Sequence, residues 1–197
     1  MIVDDFSRFT WVYFFKANDE TQQAVIDFSN EVQCQHNVPI LSIRSDNGSE
    51  FKNYTLNEFL SEEGIRHQYS AAYTPQQNGV AERKNMTLMD MARSMLAEFK
   101  SPLFLWAEAI SRACHSSNRL FFCVGKKETP YEMLTCNKPN ILYYRVFGCK
   151  CFYKIKGVRL SKFESKVLEG IFVGYGAESH TYRIYDKFLG LLWNPAV

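Results

Sequence analysis

The sequence predicts an α/β core followed by a small all-β unit, and three observations carry that prediction. Over the first 124 residues, apolar residues at helical spacing alternate with β-branched and aromatic runs. Residues 125–142 are polar, contain two prolines and read as a linker. From 143 to 197, short runs at 144–155, 168–175 and 180–185 are punctuated by Gly148, Gly157, Gly170, Gly174 and Gly176, the pattern of short strands joined by tight turns.

A chain of 197 residues with 46% hydrophobic residues can build a core, which excludes a disordered protein. No apolar run approaches the roughly 20 residues of a membrane-spanning helix, and the N-terminus carries no basic region followed by an apolar stretch. The expectation is a protein of the nucleus or cytoplasm, not secreted and not membrane-bound. Cys34, Cys114, Cys123, Cys136, Cys149 and Cys151 form no CxxC pair and are too sparse for a disulfide scaffold, so reduced structural thiols are expected.

The elements follow in order. Residues 1–5 and 10–16 (TWVYFFK), joined by a Ser-Arg turn, predict an antiparallel hairpin. Ala24, Val25, Phe28 and Val32 mark a helix from about Asp19 to His36, with Asn18 or Asp19 as its cap. Pro39 ends it. Ile40 to Ser45 predicts a strand running into the Asp46-Asn47-Gly48 turn, Leu56 to Glu63 a short helix, and Arg66 to Ser70 a further strand. After a Pro-Gln-Gln-Asn-Gly loop, Leu88, Met91, Ala92, Met95, Leu96 and Phe99 mark the apolar face of a long helix. A second helix runs from Pro102 to about Phe121, with Trp106, Ala109, Ile110 and Ala113 on its apolar face.

The net charge of +2 hides a segregation. Between Lys138 and Lys166 there are eight basic residues against one acid, Glu164, so this stretch carries +7 and the remainder −5. Lys150, Lys154, Lys156 and Arg159 are interleaved with Tyr143, Tyr144, Phe147, Phe152, Tyr153 and Phe163. Phosphate contacts combined with stacking platforms have this composition. A strand-rich barrel with core aromatics and solvated lysines has it too, and both readings stand on the sequence alone.

Two carboxylates occupy settings that suit a divalent cation. Asp46 lies where a strand meets a glycine turn, and Glu82 lies in the first turns of the long helix. Mg²⁺ takes such hard oxygen ligands while keeping water and substrate phosphate in its shell. Taken alone, each has an ordinary structural role as well, in a turn and at the positive end of a helix dipole.

The residues around them decide between these roles. Asp46-Asn47-Gly48-Ser49-Glu50-Phe51 and the segment from Tyr73 to Asn85 (YTPQQNGVAERKN) closely resemble the last two motifs of the D-D-E integrase core, specifically in copia-type LTR retrotransposons of plants. Val3 to Tyr13 (VDDFSRFTWVY) resembles the second core strand of that family and Thr129 to Glu132 (TPYE) a segment after the core. Arg145 to Cys149 (RVFGC) and Gly170 to Tyr175 (GIFVGY) resemble the SH3-like barrel that follows. The resemblance covers about residues 2 to 187.

It implies an RNase H-like integrase core over 1–124 that lacks its first strand, followed by an SH3-like barrel. It further implies that Asp46 and Glu82 are the second and third acids of a triad binding Mg²⁺ or Mn²⁺, where two metal ions activate water and then a DNA 3′-hydroxyl for attack on a phosphodiester. Asn85 would face the same cleft, with Gln77 on the loop beside it and Lys84 adding a DNA contact. The partners implied are DNA and further copies of the chain. The first acid belongs on the strand before Ile2, so 3′-end processing and strand transfer are expected to fail in this chain alone. Asp4 and Asp5 read as turn residues and not as replacements for that acid. Loss of the central strand is expected to leave two strand edges open and the chain prone to aggregation. The alternative to an integrase is a non-catalytic nucleic-acid-binding module or a translated transposon relic.

Overall fold

The computed structural model describes residues 1–17, 20–70, 78–154, 167–176, 181–186 and 190–193, with backbone alone for 191 and 193. In chain order the elements are β1 (Ile2–Val3), β2 (Thr10–Trp11), α1 (Glu20–His36), β3 (Ser42–Ser45), α2 (Tyr54–Glu62), β4 (Arg66–Tyr69), α3 (Gly79–Glu98), α4 (Trp106–Leu120), α5 (Pro130–Thr135), β5 (Lys150–Lys154), β6 (Val167–Tyr175), β7 (Tyr182–Asp186) and β8 (Leu191–Trp193). Compactness divides them into one unit of Met1 with Tyr13–Lys84 and another of Ile2–Val12 with Asn85–Val197. That is a different cut from the motif-based boundaries at 124 and 142.

In the first unit β3 and β4 pair in parallel, from Ser42 opposite Arg66 to Ser45 opposite Tyr69. A parallel pair needs a crossover, and α2 supplies it. Asn53 caps α2 by accepting the Thr55 N–H at 2.9 Å. Gly64, at φ +68°, ends it in the left-handed conformation that glycine adopts without steric cost. The apolar side chains of the crossover, Leu56 and Leu60, are buried with Val25 of α1 and Ile65, and Ile40, Ile43 and Phe51 pack against them. The Asn18 and Asp19 cap expected for α1 lies outside the described residues.

The second unit is built on α4. Its buried side includes Ala109, Ile110, Ala113 and Cys114, which meet Ala92, Leu96 and Leu88 of α3 and Phe147, Ile171 and Val173 of the β unit. β5, β6, β7 and β8 form an antiparallel sheet in that order. β6 is buried from Gly170 to Gly174 because α4 covers one of its faces, and a register shift between Phe172 and Gly174 bends the strand. Gly170 has no room for a side chain, since a Cβ there would come within 2.4 Å of Ile184 Cγ2.

A guanidinium sits inside this unit without an acidic hydrogen-bond partner among the described residues. Arg112, 6% exposed, donates to Ser116 Oγ at 2.6 Å and to the Arg145 carbonyl at 3.1 Å, and lies over the rings of Tyr144 and Tyr175. Tyr144 and Tyr143 also close around His115, whose pKa is pushed down to about 3 by burial and by Arg119 and Arg112. Tyr143, Tyr144, Phe147 and Tyr153 are therefore packing residues. Of the aromatics in the basic stretch that the structure describes, they follow the barrel reading; Phe163 lies outside the described residues.

Four sequence expectations are corrected. The hairpin is shorter than the 1–5 and 10–16 runs, with two residues per strand, Ile2 opposite Trp11 and Val3 opposite Thr10. The segment 125–142 is not all linker: Thr129 and Glu132 form a capping box with Pro130 in the first turn, and α5 follows. Residues 103–105 form a 3-10 turn, so the α-helix expected from Pro102 starts at Trp106, which is 52% exposed. Phe99, expected on the apolar face of α3, is also exposed.

β2 is held from an unexpected direction. The Thr10 N–H donates to Asn118 Oδ1 at 3.0 Å, and Asn118 Nδ2 donates back to the Thr10 carbonyl at 2.8 Å, so an amide side chain on α4 pairs the strand as a neighbouring strand would. Both residues are buried. Replacing Asn118 by Ala strands the Thr10 N–H away from water, and the expected cost is about 2 kcal/mol or more of unfolding free energy. Urea titration of the variant against the parent chain checks it.

Candidate functional site

The end of β3 carries the first acidic candidate. Asp46 follows the strand directly and is exposed, at the carboxyl end of a parallel pair, where open α/β sheets place their ligands. Its Oδ1 accepts the Gly48 N–H at 3.1 Å, which folds the D-N-G turn. Asn47 Nδ2 donates to the Ser70 carbonyl at 3.0 Å, and the Ser70 N–H donates to the Ser45 carbonyl at 2.9 Å, so the turn is tied to the end of β4 on both sides. The Glu50 carboxylate folds over Gly48, where a Cβ would lie 2.5 to 2.7 Å from it, so a side chain at 48 would displace Glu50.

Glu82 is the second candidate. It lies exposed in the first turn of α3 and belongs to the same compact unit as Asp46. An acid there also complements the positive end of the helix dipole. Neither carboxylate is drawn into an ion pair among the described residues, and both are hard oxygen donors of the kind Mg²⁺ and Mn²⁺ take. Among the described residues no three acidic, histidine or cysteine side chains gather into a metal-binding group. The described residues thus place one acid at a strand end and one in the first turn of a helix, both within the first unit.

The remaining candidates are placed as follows. Asn85 is exposed on α3 three positions after Glu82, and Lys84 is half-buried beside it. Gln77, Lys156 and Arg159 lie outside the described residues. Lys150 and Lys154 are exposed at the two ends of β5. Strand alternation sets them on one face with Phe152, which is 67% exposed, and the Lys150 ammonium lies 5.4 Å from the Phe152 ring centroid. Lys150 also pairs with Glu169 at 2.6 Å, an exposed contact. Asp4 and Asp5 sit in the hairpin turn: Asp4 Oδ2 accepts the Ser7 N–H at 2.7 Å and its hydroxyl at 2.5 Å, and Asp5 pairs with Arg8.

Sequence reading passed over Glu50 and His67. Nothing in D-N-G-S-E announces that the Glu50 side chain turns back over Gly48. His67 comes next to the site only through the β3–β4 register, which a single sequence does not reveal.

Comparison with known proteins fits this geometry. Residues 1–75 match the integrase core domain family and residues 149–190 the retroviral polymerase SH3-like domain family. Over 184 residues, 93% of the chain, the sequence is 36% identical to the Retrovirus-related Pol polyprotein from transposon TNT 1-94 of Nicotiana tabacum. The chain belongs to the integrase region of copia-type retrotransposon Pol polyproteins. It spans about 14% of the length of that tobacco relative.

Solved structures agree on the fold of this chain. A chain of the simian T-cell lymphotropic virus intasome in complex with PP2A regulatory subunit B56 gamma superposes with a TM-score of 0.56 at 19% identity, covering 98% of this chain and 68% of that one. The HTLV-2 integrase catalytic core in complex with magnesium, in its trimeric form, gives 0.51 at 23% identity, over 66% of this chain and 80% of that one. The architecture is thus of the α/β class, an RNase H-like integrase core with a small SH3-like β unit.

The alternation in β5 separates surface from core residue by residue. Phe152→Ala is expected to leave stability within about 0.5 kcal/mol, as for other exposed positions. Tyr153→Phe, one residue on, removes the phenol that donates to the buried Asp186 carboxylate and is expected to cost about 1–3 kcal/mol. Parallel urea titrations of the two variants give the comparison.

Proposed function

We propose that the protein acts in DNA integration by metal-dependent phosphoryl transfer, comprising 3′-end processing and strand transfer, and that Asp46 and Glu82 are two of its metal-binding acids. The observation that carries this reading is the exposed Asp46 carboxylate at the end of β3, pinned by the turn to β4, in the same unit as the exposed Glu82 at the start of α3. When bound there, Mg²⁺ or Mn²⁺ would neutralise phosphate charge and raise the nucleophilicity of a bound oxygen. The chain's own contribution is to hold the two carboxylates on a strand end and a helix turn, elements rigid enough to keep an attacking group and a phosphodiester in line. Asn85, Gln77 and Lys84 are proposed to contact DNA beside these acids. The magnesium of the HTLV-2 core and the intasome assembly of the simian virus protein are properties of those proteins; they support a metal, DNA and further copies of this chain as its partners. A reaction on chromosomal DNA also puts the working protein in the nucleus.

Nicking and strand transfer on a labelled duplex with Mg²⁺ or Mn²⁺ test the catalytic reading. They are to be run on this chain and on a form extended upstream to carry the strand on which the resemblance places a third acid. The extended form is expected to be active, and Asp46→Asn or Glu82→Gln should each lower its rate by about 10²- to 10³-fold or more. Activity surviving Asp46→Asn would remove that residue from the mechanism.

The exposed face of β5 favours a DNA-binding surface that stands whether or not the acids are used. Lys150 and Lys154 would contact phosphates while Phe152 offers a stacking platform, and Lys156 and Arg159 are proposed to continue the surface. Replacing Lys150 and Lys154 by Glu should weaken duplex binding and reduce the slope of log affinity against log salt by about 1 per lysine. Unchanged affinity and slope in a salt series would rule this face out.

A further inference from the structure

The carboxylate of Asp46 can be no better fixed than the peptide that carries it, and that peptide is held from β4. Ser45, buried and directly before Asp46, has a single hydroxyl proton and two neighbours that compete for it. Its Oγ lies 2.9 Å from the Asp46 carbonyl oxygen and 3.0 Å from His67 Nε2. The carbonyl can only accept, so a hydrogen bond to it uses the serine proton, and the imidazole must then be the donor to Oγ.

The other ring nitrogen points the same way. His67 Nδ1 is buried and has no hydrogen-bond partner among the described residues. With the proton on Nε2, the buried Nδ1 presents only a lone pair. With the proton on Nδ1, a buried N–H would be orphaned and the Asp46 carbonyl would lose its donor, two costs instead of one. Burial also lowers the pKa of the ring, which favours its neutral form. The ring is held in place by Tyr69, whose centroid lies 4.1 Å away and whose own hydroxyl donates to the Phe51 carbonyl at 3.1 Å. His67, Tyr69 and Ser70 at the end of β4 thus grip both flanks of the D-N-G-S-E-F segment.

We propose that His67 is a positioning residue for Asp46: as the Nε2–H tautomer it donates to Ser45 Oγ, which commits the serine proton to the Asp46 carbonyl and fixes the peptide that presents the carboxylate. This rests on the reading of Asp46 as a metal ligand. His67 itself touches neither metal nor DNA in this role. Its effect is on how well the acid is aimed.

The test is a Mn²⁺ titration of the full 197-residue chain followed by paramagnetic broadening, together with ¹⁵N spectra of the imidazole rings. The His67 signals are expected to show Nε2 protonated and Nδ1 bare. His67→Phe, which keeps a flat ring but has no donor, should weaken Mn²⁺ binding by about five- to tenfold. His67→Gln, whose amide nitrogen can reach the Nε2 position, should stay within about twofold of the parent. Should His67→Phe fail to fold, Ser45→Ala removes the relay while keeping the ring and should weaken binding to the same degree. An Nδ1–H tautomer overturns the proposal. So does Mn²⁺ binding that is lost in Asp46→Asn but unchanged in His67→Phe or Ser45→Ala, a result that leaves Asp46 as the ligand. Unchanged Mn²⁺ binding in Asp46→Asn removes the ligand itself, and the positioning role falls with it.

Discussion

The candidate site depends on a parallel ladder four residues long. A pair of that length is marginal by itself, and parallel pairing is slightly weaker per residue than antiparallel. Its persistence comes from the crossover. Leu56 and Leu60 of α2 are almost fully buried with Val25 of α1 and Ile65, and Ile43 of β3 packs on the same cluster. Because a one-residue slip in a strand reverses every side chain, the burial of Ile43 also fixes which way Ser45 points. The register brings Ser45 opposite Tyr69, and the Asp46 turn is then anchored by Asn47, Ser45 and Ser70. An exposed carboxylate is aimed by a hydrophobic core with which it shares no chemistry.

The recurring motifs of the second unit are explained by packing. The Arg145 carbonyl accepts from the buried Arg112, and the Arg145 N–H donates to Tyr175 Oη at 3.0 Å, so the RVFGC and GIFVGY segments are joined through one tyrosine. Gly148, at φ +83°, lies under Phe99, where a Cβ would come within 2.5 Å. Removing a guanidinium's water is costly unless its donors are used; here a serine hydroxyl and a carbonyl accept from the terminal nitrogens between two aromatic faces, while the buried Nε has no partner among the described residues. Glu108 and Arg183 add a second tie between α4 and β7 at 2.6 Å; burial raises the Glu108 pKa and the neighbouring Arg183 opposes that rise. Persistence of a motif in sequence therefore does not by itself mark a reactive residue.

What was legible in the sequence was whatever depends on short-range pattern. The helical spacing of Leu88, Ala92 and Leu96 gave α3, and Gly64 and Pro39 gave helix ends, because these signals act within one or two turns. The placement of Asp46 at a strand end and of Glu82 in a helix start was legible because these are local features as well; their proposed role came from the family resemblance. α5 carries a capping box that could have been read, but its polar setting between two prolines outweighed it. The tyrosines around His115 and the donor role of His67 depend on contacts across 22 or more positions, which no periodicity encodes.

The basic stretch shows how geometry divides a composition that a sequence leaves whole. Lysines interleaved with aromatics suited both a barrel core with solvated lysines and a nucleic-acid surface, and the period of two in β5 separates the residues that face the core from those left exposed. Cys151 and Tyr153 turn inward while Lys150, Phe152 and Lys154 face solvent. The pairing of Lys150 with Glu169 does not disqualify that face. Both side chains are more than half exposed, and an ion pair of that kind is worth at most about 1 kcal/mol in water. A DNA phosphate brings a counterion atmosphere whose release favours association, which Glu169 cannot match. Under the proposed DNA-binding reading, Glu169 keeps the Lys150 ammonium near the Phe152 ring, so that cation and platform would already be adjacent when a strand docks.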